Sequence, residues 1–246
     1  MRTSHALGLV AIVFVATLLA RLPARVLLPL LPPGISCQQP TGTVWHGGCV
    51  QLQLHEPKLA LQAISWTVHP AALLGLRLSA DVASDDPRAL ARAAVTLAHD
   101  GTIQLRSLNA QLPLQGGLPG VFPSGLSGQV QVAIDSATLD HGQLLALQGS
   151  IRVLQLRSES QAADLGSFEL LFPPARVGEP IDGQLRDLGG PLAVSGELRL
   201  MREGGYDLSG EVAARPQASA DVVQALQLLG PADSQGRRMF SLAGSL

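Results

Sequence analysis

Length, composition and charge narrow the class of this protein before any motif is considered. The chain has 246 residues, of which 15% are charged and 3% are aromatic, and its formal net charge is −2. It contains no basic run longer than Arg237-Arg238, which excludes the basic surface that nucleic-acid binding requires. Its 26 glycines and 17 prolines favour many short strands separated by turns.

The amino terminus carries an apolar segment long enough to reach across a bilayer. Between Arg2 and Arg21, eighteen consecutive residues contain no acid, lysine or arginine, and a helix of that length spans roughly 27 Å. The segment predicts a cytoplasmic tail and transmembrane anchor over residues 1–22. A cleavable signal peptide is the alternative, although Leu18 and Leu22 stand where a cleavage site prefers small side chains.

A proline-rich segment follows the anchor. Prolines disfavour a regular α-helix and the residues before them prefer extended conformations. Residues 23–36 are therefore predicted to form an extended stem that separates the membrane from a domain over residues 37–246. The prolines of this stem are Pro23, Pro29, Pro32 and Pro33.

Beyond the stem, apolar side chains recur at every second position, as in strands with one apolar face. An Asp100-Gly101 pair between two such runs predicts a hairpin. Residues 85–94, which are rich in alanine and arginine and can form one or two helical turns, are not assigned. The alternation is clearest at Val50, Leu52, Leu54, Leu59, Leu61, Trp66, Val68, Leu74, Leu76, Leu78, Val130, Val132, Ile134, Leu198 and Leu200.

One segment near the carboxyl terminus has helical rather than strand periodicity. Ser219 can cap a helix that Gly230 and Pro231 would end, with Val222, Val223, Leu226 and Leu229 on one side. The sequence therefore predicts an all-β protein with a mostly antiparallel meander sheet, one short helix near the carboxyl terminus and a single transmembrane helix at the amino terminus.

Two cysteines, Cys37 and Cys49, flank the turn residues 41–43. A disulfide between them would close a loop whose stabilisation is about 3 kcal/mol in the chain-entropy account, and an oxidising compartment favours it. Two buried free thiols are the alternative.

No catalytic, cofactor or metal-binding motif is present: the sequence lacks GxSxG, HExxH, a P-loop and GxGxxG. Catalytic residues, cofactors and metal ligands are therefore not predicted. The two tryptophans are large apolar groups with one donor each. Trp66 is predicted to pack in the core, whereas Trp45 is equally compatible with packing and with contact to a membrane interface or a partner.

Several glycine-flanked motifs, in order along the chain, resemble the type II secretion system protein N family (general secretion pathway protein N). They are Gly42-Thr43-Val44-Trp45-His46-Gly47, Trp66-Thr67-Val68-His69-Pro70, Asp187-Leu188-Gly189-Gly190-Pro191 and Gly196-Glu197-Leu198. The resemblance implies a single-pass protein of the bacterial inner membrane, with its carboxyl-terminal domain in the periplasm. It also implies a large curved, AsmA-like sheet around an apolar groove, and the cysteine pair is not part of the family pattern.

Two functions are predicted, the first from this resemblance and the second from the 46% of hydrophobic residues in a chain with few aromatics. The first is a non-enzymatic component or assembly factor of the type II secretion system, in contact with other components of the inner membrane or with the outer-membrane channel. The second is a lipid- or hydrophobe-binding or transfer module. In both cases the lipid bilayer is a partner, nucleic acid is not, and bound lipid is a further expected ligand.

Overall fold

The structure, a computed structural model, describes residues 14, 17–30, 34–54, 59–86, 89–114, 125–160, 162–175, 178–202 and 204–245. In this part of the chain thirteen strands form one sheet, in which spatial order follows chain order from β1 to β13 and all neighbours are antiparallel. The strands are β1 (Ile35–Gly42), β2 (His46–Leu54), β3 (Leu59–His69), β4 (Arg77–Asp86), β5 (Ala89–Ala98), β6 (Thr102–Leu114), β7 (Leu126–Asp140), β8 (Gln143–Ser158), β9 (Ala163–Phe172), β10 (Ile181–Asp187), β11 (Leu192–Leu200), β12 (Gly205–Ala214) and β13 (Arg238–Ser245). The predicted antiparallel meander is confirmed.

A meander places its turns alternately at two borders of the sheet. We call the border that holds the β1–β2 and β3–β4 connections the near rim. We call the border that holds the β10–β11 connection and the residues between β12 and β13 the far rim. The two rims matter below because the motifs singled out in the sequence divide between them.

The predicted hairpin at Asp100-Gly101 joins β5 to β6. Asp100 Oδ1 accepts a 3.0 Å hydrogen bond from the backbone N–H of Thr102, and Gly101 has a φ of 87°. Hydrogen bonds from the backbone N–H and the side chain of Thr102 lower the pKa of Asp100. The turn forms because glycine adopts positive φ without steric cost and the aspartate satisfies the following backbone donor.

The predicted carboxyl-terminal helix is also confirmed. α1 (Ala220–Leu226) continues as a 3-10 helix, Gln227–Leu229, and the Ser219 hydroxyl accepts a hydrogen bond from the backbone N–H of Val222. Val222 is buried, but Val223 and Leu229 are largely exposed. Only part of the predicted apolar side is therefore covered, by contacts that α1 makes chiefly with β9 and β12.

The stem is not extended, and that prediction is wrong. Ala24–Leu30 forms a 3-10 helix with Pro29 inside it, because Pro23 and Pro29 leave enough residues between them for a turn. This stem helix packs on β1 and β2, and Ala24 is only 2% exposed. Residue Pro23 makes an isolated antiparallel bridge with Thr43, so the stem lies along the sheet.

Two further segments differ from the sequence-based prediction. Leu74 does not begin a strand: Pro70–Gly75 is a 3-10 helix with proline at its first position, and Leu76 has a φ of 54°. Of the unassigned residues 85–94, Asp85 and Asp86 end β4 and residues 89–94 begin β5, with Asp86 paired with Ala89. The first difference has a local cause, the proline that begins the 3-10 helix, whereas the second is decided by cross-strand pairing, which a local pattern does not contain.

The predicted anchor lies mostly outside the described residues. Residues 17–20 are helical, and Arg21 donates a backbone hydrogen bond of 3.1 Å to the carbonyl of Thr17. Arg2 lies outside the described part, and Arg21 is exposed. No helix within the described ranges is both long and apolar enough to cross a membrane.

Candidate functional site

One face of the sheet carries a mostly apolar row of residues across all thirteen strands. Direct cross-strand partners lie on the same face, so the register identifies the row strand by strand, and only Ser84 in it is polar. The row consists of Pro40, Cys49, Ile64, Ser84, Ala91, Ala110, Val132, Ile151, Leu170, Leu185, Gly196, Gly210 and Phe240. Its central members, from Ala110 to Leu185, are only partly buried. Apolar surface therefore remains accessible to solvent along the middle of the sheet.

The opposite face is polar at the neighbouring positions. The row one residue away along each strand consists of Ser65, Ala83, Arg92, Asn109, Ala133, Ser150, Leu171, Gln184, Glu197, Ser209 and Ser241. Because adjacent residues of a strand point to opposite faces, the sheet is amphipathic across its width. The predicted alternation thus produces one apolar and one polar surface.

The apolar row ends under an aromatic ring at the carboxyl-terminal side. A Cβ on Gly210 would lie 2.8 Å from Cζ of Phe240 and 2.3 Å from the carbonyl oxygen of Ser195. Gly196 faces the same ring, which a Cβ there would meet at 3.5 Å. The two glycines let the ring of Phe240 lie on the backbone and close this end of the row.

The first family motif forms a tight turn at the near rim. Gly42 has a φ of 77°, and a Cβ there would lie 2.4 Å from the carbonyl oxygen of His46. Thr43 Oγ1 accepts a 3.1 Å hydrogen bond from the backbone N–H of His46. A Cβ on Gly47 would lie 2.6 Å from the ring of Trp66, so this glycine makes room for the indole.

Both tryptophans bind backbone carbonyls at this rim. The indole N–H of Trp66 donates to the carbonyl of Val44 over 3.1 Å, and that of Trp45 donates to the carbonyl of Leu19 over 2.7 Å. Both residues are partly buried. Trp45 thus links the turn to the helical residues 17–20, a contact across 26 residues that no local pattern in the sequence indicates.

Pro70 belongs to the same cluster, whereas Gly189, Gly190, Pro191 and Gly196 do not. The backbone N–H of Val68 donates a 2.7 Å hydrogen bond to the carbonyl of Trp45, so the chain reaches Pro70 directly beside the tryptophan turn. Gly189, Gly190 and Pro191 lie in the β10–β11 connection at the far rim, whereas Gly196 lies within β11. The residues of the family motifs therefore form one group at each rim, with Gly196 apart from both in the apolar row.

The far-rim group is organised by Asp187. Its carboxylate accepts hydrogen bonds from the backbone N–H of Gly189 at 3.0 Å, from that of Val194 at 3.1 Å and from Arg215 at 2.7 Å. Burial raises the pKa of Asp187, but these hydrogen bonds outweigh it and the pKa is lowered. A Cβ on Gly190 would lie 2.7 Å from Cα of Gly166, so the β10–β11 turn lies directly against the backbone of β9.

Cys37 and Cys49 are joined by a disulfide, with their Cα atoms 5.8 Å apart. The bond crosses the β1–β2 hairpin, in which Cys37 pairs with Leu52 and Cys49 with Pro40. Cys49 is buried. The disulfide therefore ties the first strand of the sheet to the second.

A buried carboxylate lies between two arginines on β8, β9 and β10. Glu169 is 1% exposed, and each of its two oxygens accepts a 2.6 Å hydrogen bond, from Nε of Arg152 and from Nε of Arg186. The hydrogen bond from Arg152, with that from Arg186, lowers the pKa of Glu169 against the effect of burial. Sequence reasoning missed this group because only the register brings the three strands together.

Three or more His, Cys, Asp or Glu side chains do not converge as a metal site anywhere in the described ranges. His69 pairs with Asp81 over 2.7 Å, and both side chains are about half exposed. The features that distinguish the described surface are thus the apolar row, the two motif clusters and the two outer strands.

Comparison with known proteins gives a consistent result. The family model for type II secretion system protein N matches residues 33–241. A type II secretion system protein N from Pectobacterium carotovorum subsp. carotovorum is 24% identical over 233 residues, covering 91% of this chain and 90% of the relative. A protein of the same name from Aeromonas hydrophila is 23% identical over 238 residues, covering 94% and 93%. No solved structure matches significantly.

Proposed function

The chain belongs to the type II secretion system protein N family, and from this premise we propose that it is a non-enzymatic, inner-membrane component or assembly factor of the secretion apparatus. In this role the segment before Arg21 is the anchor and the sheet lies in the periplasm. The sheet acts by binding other envelope components rather than by catalysing a reaction. The observation that carries the proposal is that, among the residues the structure describes, the sheet is open and no strand pairs with the outer edge of β13.

The two outer strands differ in how well they could accept another strand. β1 contains Pro40, which lacks an N–H, and Gln39, whose φ is 53°. β1 is also covered by the stem helix. Proline and backbone irregularities protect edge strands against pairing.

Within its described length β13 has neither a proline nor a residue at positive φ, although the 3-10 helix Gln227–Leu229 contacts it. It pairs with β12 in an unbroken register from Gly205–Ser245 to Val212–Arg238, and its only charged residue is Arg238. A regular edge strand presents unpaired N–H and C=O groups to which a partner strand can add. We therefore place the docking edge for a secretion partner on β13.

Proline substitutions at neighbouring positions test this edge. Along an edge strand, successive backbone N–H groups point alternately toward the sheet and away from it. One of the variants Ser241→Pro and Leu242→Pro removes a hydrogen bond to β12, and the other removes only the outward donor. The outward variant should keep its thermal stability and lose co-purification with secretion components under mild solubilisation.

Gln38→Pro on β1, two residues before Pro40, is the matched control and should leave co-purification unchanged. If the folded outward variant of β13 retains all of its partners, the docking edge is wrong. If the unmodified chain associates with no secretion component, the proposed role itself is wrong.

A topology reporter tests the anchor. An alkaline phosphatase domain fused after Leu246 should be active, since that enzyme folds only outside the cytoplasm. A reporter that is active only in the cytoplasm, fused at the same position, should show no activity. The reverse pattern would remove the periplasmic assignment. Retention of the full-length chain in the membrane after alkaline carbonate washing separates an uncleaved anchor from a processed signal peptide.

The apolar row favours a second candidate function, the binding of a lipid or another hydrophobe. Val132, Ile151 and Leu170 lie side by side on one face and remain partly exposed, which suits an acyl chain laid across the strands. Mass spectrometry of the purified protein should then detect bound lipid. Ile151→Gln should reduce the lipid recovered, whereas Ser150→Gln, on the opposite face, should not, and equal recovery from both variants would count against the groove.

A further inference from the structure

At the near rim, the described part of the chain leaves the side chains of three leucines exposed to solvent. Leu74 is 92% exposed, Leu76 is 70% exposed and Leu73 is 44% exposed. We call these three residues the leucine tip. The tip is held in place: Leu76 donates a 3.0 Å backbone hydrogen bond to the carbonyl of Leu73, and Pro70 begins the 3-10 helix that carries it.

A short path of hydrogen bonds connects the tip to the apolar amino-terminal segment. The indole of Trp45 binds the carbonyl of Leu19 at 2.7 Å, and the carbonyl of Trp45 accepts the N–H of Val68 at 2.7 Å. Val68 lies two residues before Pro70. The N–H of Val44 also binds the carbonyl of Leu22 over 2.9 Å, so the apolar segment ends against the rim itself.

Because the stem is a 3-10 helix packed on the sheet, it does not hold the sheet away from the apolar segment as an extended spacer would. The stem helix, Ala24–Leu30, runs back over β1 and β2, and the chain enters β1 only at Ile35. Because residues 17–22 already touch the tryptophan turn, the near rim of the sheet lies where the apolar segment ends. If that segment crosses a bilayer, the rim is at the bilayer surface.

We propose that the leucine tip, together with Trp45, inserts into the polar–apolar boundary of the phospholipid bilayer and fixes the near rim of the sheet on the membrane. The proposal rests on the anchor proposed above. The ends of amphipathic segments at such a boundary carry leucine and tryptophan, which bury apolar area while the indole N–H keeps a hydrogen-bonding partner.

Charge beside the leucine tip and the end of the apolar segment fits an anionic lipid surface. Arg21 and Arg25 follow the apolar segment, Arg77 follows the leucine tip, and all three are exposed. The carboxylate of Asp81 on this side of β4 is paired with His69 at 2.7 Å. Basic side chains beside an inserted apolar tip add attraction to anionic headgroups.

Site-specific quenching tests the contact, with Leu228 as the matched control. Leu228 is 89% exposed but lies at the far rim, after α1. Full-length Leu74→Cys and Leu228→Cys are each labelled with the environment-sensitive fluorophore NBD and reconstituted into phosphatidylethanolamine–phosphatidylglycerol vesicles. Cys37 and Cys49 are joined in a disulfide and do not react without reductant, and replacement of either exposed leucine does not disturb packing.

The label at position 74 should be quenched by doxyl lipids, and its iodide quenching constant should be about threefold lower than at position 228, as expected for a side chain at the interface. Equal iodide access at both positions would overturn the proposal. Protection from iodide at position 74 without doxyl quenching would overturn it as well, because the tip would then be covered by protein.

Carbonate extraction of the same vesicles keeps the two proposals distinguishable. If carbonate does not extract the chain but the label at position 74 is exposed to water, only the membrane contact of the tip is overturned. A chain that carbonate releases overturns the anchor on which that contact rests.

Discussion

The amino-terminal and carboxyl-terminal ends of the sheet share one meander topology but are stabilised by different interactions. The first three strands are held by the Cys37–Cys49 disulfide and by the indoles of Trp45 and Trp66. The strands from β8 onward are held by arginine–carboxylate pairs, such as that of Arg215 with Asp187. Of the two outer strands, β1 is covered by the stem helix, whereas the outer edge of β13 is unpaired in the described part of the chain. A sheet made of one repeated hairpin can therefore end in a covered edge on one side and in an open edge on the other.

Removing the disulfide should have the largest effect on this comparison. The double variant Cys37→Ser with Cys49→Ser should lose about 3 kcal/mol of unfolding free energy, because the bond closes a loop in the unfolded chain. Both tryptophans of the chain lie at this end, so their fluorescence reports it, while circular dichroism reports the whole sheet.

Urea unfolding measured by both signals tests that expectation. In the double variant the fluorescence transition should move to lower urea before the dichroism transition does, and reduction of the unmodified protein should reproduce the shift. Two transitions that move together would mean that the ends unfold as one unit.

The carboxyl-terminal end should depend on Glu169. Glu169→Gln leaves Arg152 and Arg186 without their shared carboxylate, and we expect a loss of about 2 kcal/mol, below the usual range for a buried pair since the arginines are half exposed. Asp182→Asn removes the exposed partner of Arg199 and should change stability by about 0.5 kcal/mol or less. Equal losses in urea unfolding would contradict the distinction between a buried and an exposed pair.

Acid should weaken the same end. The pKa of Glu169 is lowered in the folded protein from its ordinary value of 4.5, chiefly by the hydrogen bond from Arg152. Its contribution is therefore complete above that ordinary value and is lost as the pH falls through the folded pKa. Unfolding midpoints measured from pH 7 downward should fall less steeply below pH 4.5 in Glu169→Gln, and parallel pH profiles would refute this assignment.

A smaller effect than that of Glu169→Gln should come from the helix at the far rim. Ser219→Ala removes the cap that the hydroxyl provides to the N–H of Val222 and should cost about 1 kcal/mol. Ser219→Asp should restore most of it, since aspartate caps equally well. A thermal scan that gives Ser219→Ala and Ser219→Asp the same midpoint would show that capping is not what Ser219 contributes.

Several features were predictable from sequence because their causes are local. Alternation from Val50 to Leu54 predicts β2, Asp100-Gly101 predicts a hairpin, and Ser219 predicts the start of α1. Each rests on contacts within a few residues. The stem failed for the opposite reason, since the helix at Ala24–Leu30 is stabilised by burial against strands that come later in the chain.

The candidate sites divide in the same way. The glycine turn at Gly42 can be found in the sequence, because positive φ and a close approach demand a glycine there. Three other features could not be found in the sequence: the partner of Trp45, the two arginines around Glu169 and the position of the leucine tip. Each of them depends on contacts between elements that are distant along the chain.

The sequence by itself determined that this protein is a chain of antiparallel strands with one apolar and one polar face, since side-chain alternation and turn chemistry act between neighbouring residues. Tertiary structure alone decided the register that aligns thirteen residues from Pro40 to Phe240 into one row. It also decided which outer strand is covered and which rim meets the apolar segment. Those outcomes depend on contacts between strands, whose free energies no single segment contains.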